Sequence, residues 1–87
     1  MQVEQINEAI EAIETIVHFA PGKITLHRFK WRERMFIVRR TLYKTSQREG
    51  ENRILLFSVK CDSNDVFRIS FNLLDFTWRL ESVTMNG

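Results

Sequence analysis

Cysteine occurs once, proline once and glycine three times in the 87 residues. The lone thiol, Cys61, rules out an intramolecular disulfide and fits a reducing compartment or indifference to redox state. Three scattered glycines leave no glycine-rich loop to cradle a phosphate. No apolar run exceeds four residues (Met35 to Val38, Ile54 to Phe57), against roughly 20 for a membrane-spanning helix. Residues 1–20 have no basic start and carry glutamates throughout, so no secretory leader is read there. The expected setting is the cytoplasm, with no membrane partner.

What is present is a globular composition, 44% hydrophobic and 28% charged, with ten aromatic residues. Each aromatic can bury roughly 150–250 Å², enough for one core, and a chain of this length forms one domain, residues 1–87. Net charge is only +2, but it is unevenly placed. Residues 1–18 carry Glu4, Glu8, Glu11 and Glu14 and no cation. Residues 28–44 carry seven cations against Glu33, a local balance of +6.

Val3, Ile6, Ile10, Ile13, Val17 and Ala20 recur at steps of three and four, the spacing of one helical stripe. It predicts an amphipathic helix over about 3–19, its glutamates on another face, stopped by Pro21-Gly22. The period then changes to two. Ile24 and Leu26 alternate with polar neighbours, and Phe29 and Trp31 do so in the opposite phase, so a bulge or bend is expected near His27-Arg28. Arg32 to Arg34 reads as a turn and Met35 to Lys44 as a second strand. The polar run Thr45 to Asn52 reads as a mobile loop. Arg53–Cys61, Val66–Asn72 and Thr77–Met85 read as three further strands, separated by turns at Asp62–Asp65 and Leu73–Phe76.

The fold class expected is therefore α+β. An N-terminal amphipathic helix precedes a five-stranded, twisted antiparallel meander over about 23–85. The sheet either curls toward a small, partly open barrel or is covered on one face by the helix.

Catalytic chemistry is thinly represented. His18 and His27 flank the Pro-Gly turn and could approach one another, with Glu14 as a third metal ligand, but no second cysteine and no HExxH or CxxC spacing accompanies them. Cys61 alternates with Val59 and Phe57 as a buried small hydrophobe would. Asp62, Asp65 and Asp75 sit in turns, where such side chains bond their own backbone. No enzyme, no cofactor and no metal is expected.

Phe29-Lys30-Trp31-Arg32-Glu33-Arg34-Met35-Phe36 interleaves cations with aromatics, as a nucleic-acid surface does. Strict alternation puts Arg28, Lys30 and Arg32 on one face and Phe29 and Trp31 on the other, which leaves phosphate contact without base stacking. The candidate binding residues are Arg28, Lys30, Arg32, Arg34, Arg39 and Arg40. The same pattern is also that of a plain solvent-facing strand. The expected function is a small non-enzymatic binding module that contacts nucleic-acid phosphates. The alternative is a protein-interaction or homodimerisation module using the N-terminal helix or a sheet edge.

Phe29-Lys30-Trp31-Arg32-Glu33-Arg34, then Ile37-Val38, Phe67 with Ile69, and Trp78-Arg79-Leu80 with Val83, resemble the pattern of a family of short bacterial β-rich domains. That pattern is F-x-W-R-x-R, a hydrophobic strand and a closing W-x-L. The likeness covers about residues 23–84 and rests mostly on core aromatics. Some members are associated with translesion DNA polymerases, so the resemblance implies a β-rich accessory domain and favours a DNA-repair setting. It carries over no catalytic residue.

Overall fold

The computed structural model describes residues 4–86, with side chains from Ile10 to Met85. The described chain is all strand and turn: β1 (Glu4–Ala12), β2 (Glu14–Ala20), β3 (Lys23–Trp31), β4 (Arg34–Ile37), β5 (Arg40–Glu49), β6 (Asn52–Lys60), β7 (Val66–Asn72) and β8 (Thr77–Asn86). One antiparallel sheet has the order β1-β8-β7-β6-β5 and the other β2-β3-β4.

The expected helix over 3–19 is overturned over its described part, and with it the α+β class; β1 and β2 occupy that stretch. The physical reason lies in the bulges. Ile13, Thr15 and Val17 already alternate with Glu14 and Ile16, half-buried against exposed, a period of two. Two irregularities, a register shift between Glu8 and Glu11 and the step between sheets at Ile13, displace the phase so that apolar residues fall at odd intervals. A helix would also have set like-charged glutamates three and four apart with no cation to answer them. As strands, the same residues cover two ladder edges that would otherwise be exposed.

The ladder is nearly continuous around the molecule. Ile13 N donates to Trp78 O, Val38 N to His27 O and Arg39 N to Lys60 O, each at 2.9 Å. Through these corners β1–β2 and β4–β5 act as two long bent strands, each serving both sheets, as in orthogonal β-packing. Every strand then pairs with its predecessor, and β8 pairs with β1. The meander expected from the sequence has become an up-and-down circuit. One seam stays open: β3 meets β4 only through Arg28–Trp31, so its Lys23–Leu26 half faces β5 without a ladder.

The interior is filled. Phe29, Phe57, Val59, Ile69, Leu80 and Val83 are fully buried, joined by Leu26, Cys61, Phe67, Phe71 and Trp78. Phe29, Phe36 and Phe67 contact one another with centroids 5.0–5.3 Å apart, and Trp78 lies between Phe57 and Phe71. The expected inward rows Leu55-Phe57-Val59-Cys61 and Phe67-Ile69-Phe71 are partly or fully buried. The expected slip at His27 is also there: Ile16 pairs with Arg28 and Val17 with Leu26, leaving His27 extra.

The loop expected at Thr45 to Asn52 is a second correction. β5 runs to Glu49 and β6 starts at Asn52, with Arg48 opposite Arg53. Gly50, at φ +61, lets a two-residue turn do what eight polar residues suggested needed a loop. The β3–β4 turn uses harder means. Arg32 and Glu33 both hold positive φ, at 52 and 63, the pattern of a type I′ turn that ordinarily takes Asn-Gly. Among the described residues no helix is long and apolar enough to cross a membrane.

Candidate nucleic-acid interface

The six cations singled out from the sequence do not form one patch. Arg28 and Lys30 lie on the outer face of the three-stranded sheet, opposite Ile37 and Met35. Lys30 Nζ is 4.0 Å from Glu14 and 3.7 Å from Glu33. Arg32 projects from the strained turn, 3.2 Å from Glu11 Oε1 and 4.6 Å over the Trp31 ring. Trp31 Nε1 donates to the other oxygen of Glu11 at 2.8 Å. Arg34 sits 5.1 Å over Phe36. Arg39 is at a corner, bonded to Asp62 at 2.8 Å, and Arg40 belongs to the other sheet.

The polarity seen in the sequence is thus resolved inside the fold. Two of the acidic residues, Glu11 and Glu14, lie beside the cations Arg32 and Lys30, and each cancels a charge that looked available. These exposed pairs contribute little to stability, on the order of 0–1 kcal/mol each. Their consequence is electrostatic: Lys30 and Arg32 are compensated, and of the hairpin's four cations only Arg28 and Arg34 have no ion pair among the described residues.

A different basic strip exists. On the outer face of the five-stranded sheet, β5 presents Arg40, β6 Lys60, β7 Arg68 and β8 Arg79, one cation on each of four adjacent strands. Arg40 pairs directly with Lys60, and Lys60 with Val66. Arg68 is in the next outward row, Tyr43-Ser58-Arg68-Ser82, and Arg79 in the row beyond, Thr45-Leu56-Ser70-Arg79. Diagonal neighbours of this kind are roughly 7–8 Å apart. From β5 to β8 these rows contain no acidic residue, and the Arg68 row ends on Glu8 of β1, opposite Ser82; among the described side chains none of the four cations is in an ion pair. Glu81 is the extra residue of the β8 bulge and has no partner in either ladder. Tyr43, 61% exposed, stands on the same face.

Sequence reasoning missed Lys60, Arg68 and Arg79 because they are about ten residues apart in the chain. Alternation placed Arg68 outward; only the register places it diagonally between Lys60 and Arg79.

The remaining reactive groups are disposed as follows. His18 and His27 do approach, with stacked rings 6.2 Å apart, but Glu14 pairs with Lys30 and is not beside them. Burial, and after it the neighbouring Asp62, push the Cys61 thiol up to about 11, with Arg39 pulling the other way. Such a thiol is protonated and inert at neutral pH. Asp75 accepts from Thr77 N, as its turn position suggested, whereas Asp62 is committed to Arg39.

Comparison with protein-family models, curated proteins and solved structures finds no match to this chain.

Proposed function

We propose that this barrel is a non-enzymatic nucleic-acid-binding module that engages phosphates through the outer face of its five-stranded sheet. The observation that carries the reading is the unpaired strip Arg40, Lys60, Arg68 and Arg79 across four adjacent strands. From β5 to β8 the rows that hold the four cations register no acidic residue, which leaves those cations available to phosphates, and Glu8 ends the Arg68 row on β1. Tyr43 offers one exposed ring on which an unpaired base can stack. Hydroxyl side chains in the same rows, Ser58 with Arg68 and Thr45 with Arg79, suit hydrogen bonds to phosphate and sugar oxygens. Such a surface favours single strands and reads little sequence. It also agrees with the DNA-repair setting that the resemblance implies, and a cytoplasmic location fits the single buried thiol.

The test is fluorescence anisotropy with a labelled thymidine oligonucleotide of about 15 residues, within the span of small β-barrel sites. Affinity is expected to fall with salt at a log–log slope of about −3, as four contacts to a single strand require. Arg68→Glu with Arg79→Glu should abolish binding. Retained affinity in that folded double variant, or a slope near zero, would remove the proposal.

A further inference from the structure

The open seam between the first half of β3 and β5 forms a groove. Its wider part, about 490 Å³, is lined chiefly by Ala20, Lys23, Ile24, Lys44 and Leu55. A smaller hollow of about 220 Å³ shares Lys23, Ile24 and Lys44 and reaches the core residue Phe57. No Asp or Glu lines either part.

Lys44 is the unusual member. Its register partners run Lys44-Phe57-Ile69-Leu80, and the other three residues of that row are buried. A lysine in an inward row sends its stem along apolar surface and its ammonium to the opening. Here Nζ crosses the seam to Ile24 O at 3.4 Å, a long contact that leaves its other donors free. Neither strand lip is paired there, since Lys23–Leu26 has β2 on one side only and β5 has only β6. The groove thus combines an apolar floor, two cations at its rim and a volume within the usual range of small-ligand sites, roughly 300–1,000 Å³.

We infer that this seam binds a single-chain amphiphilic carboxylate, such as a medium-chain fatty acid, with its head at Lys44 and Lys23 and its alkyl chain along Ile24, Leu55 and Phe57. Charge complementarity selects the anion, because the lining offers two ammonium groups and no competing carboxylate. The apolar floor selects the chain over a simple inorganic anion. The groove is lined by none of the four strip cations, so the two can be tested apart.

The experiment titrates the folded protein with dodecanoate below its micellar concentration, by calorimetry and by amide chemical shifts. One equivalent should bind, with shifts concentrated at Ile24, Lys44 and Leu55. Lys44→Glu should weaken binding about tenfold or more, and Lys44→Gln less, as loss of a charge-assisted contact predicts. Dodecyltrimethylammonium should not bind in the groove, and Arg68→Glu with Arg79→Glu should leave dodecanoate affinity unchanged. Absence of binding, shifts centred elsewhere, equal affinity for the cationic amphiphile, or an undiminished affinity in folded Lys44→Glu would each overturn the inference.

Discussion

The two sheets of this barrel differ in how far their cations are paired. On the three-stranded sheet and its turn, Lys30 and Arg32 have carboxylates within 4.0 Å, and Trp31 holds Glu11 in place for Arg32. On the five-stranded sheet, Arg40, Lys60, Arg68 and Arg79 have none among the described residues. A basic stretch of sequence and a basic surface are therefore different things. Local charge density shows where cations are made, and strand pairing decides which of them remain uncompensated.

Both sheets rest on one shared core. Phe29 belongs to the small sheet but contacts Phe67 of the large one, with centroids 5.3 Å apart. Phe29→Ala should cost about 3–5 kcal/mol in denaturant unfolding, as buried aromatic truncations do. A cost near zero would mean that the two sheets do not share a core.

Next in size is the contrast between charge reversals. Arg68→Glu with Arg79→Glu should lower oligonucleotide affinity about 100-fold or more, whereas Arg32→Glu with Arg34→Glu should change it no more than about threefold. Equal losses would place the interface on the hairpin after all.

Cys61 lies next to the corner residue Asp62 and supplies a pH test. Its pKa rises from 9.0 to about 11 in the fold, so the folded protein holds this proton more tightly than the unfolded chain. The associated stability is complete below pH 9 and is lost as pH climbs toward 11. The loss amounts to at most roughly 3 kcal/mol. Unfolding midpoints for the wild type and Cys61→Ser across that window should converge; parallel curves would exclude Cys61 as the source.

Smaller effects should sharpen the contrast. Replacing Arg32-Glu33 by Asn-Gly relieves two left-handed non-glycine residues and should stabilise the barrel by about 1–2 kcal/mol. Glu11→Gln with Glu14→Gln should uncover the hairpin cations and raise oligonucleotide affinity a few-fold, about the yield of one or two added phosphate contacts. No gain there would show that those carboxylates are not what silences the hairpin.

Much of the strand content was legible. From Lys23 onward, alternation located the inward rows and Gly22 and the Asp62–Asp65 run marked turns, and the misplaced phase at Phe29 signalled the His27 bulge. The first 20 residues were misread for the same reason that the bulge was found: bulges imitate other periodicities. A step of three or four between apolar residues is a helix if uninterrupted, and a strand if Ile10 and Ile13 break the phase. Ile10 does so at φ 43, a conformation that nothing in a β-branched side chain announces. The candidate interface was the least legible, since its four cations come from four strands and share no local motif.

The sequence by itself determined a single small chain with an aromatic core, antiparallel neighbours joined by tight turns, and a thiol with no disulfide partner, because side-chain alternation and turn chemistry are local properties. The tertiary structure decided that the N-terminal segment extends rather than coils, because only there could it pair with β8 and β3 and close two edges. It also decided which cations stand beside a carboxylate among the described residues. Glu11 and Glu14 came to rest beside Arg32 and Lys30, whereas Glu4 and Glu8 registered against β8, and ladder register set Arg40, Lys60, Arg68 and Arg79 on four adjacent strands.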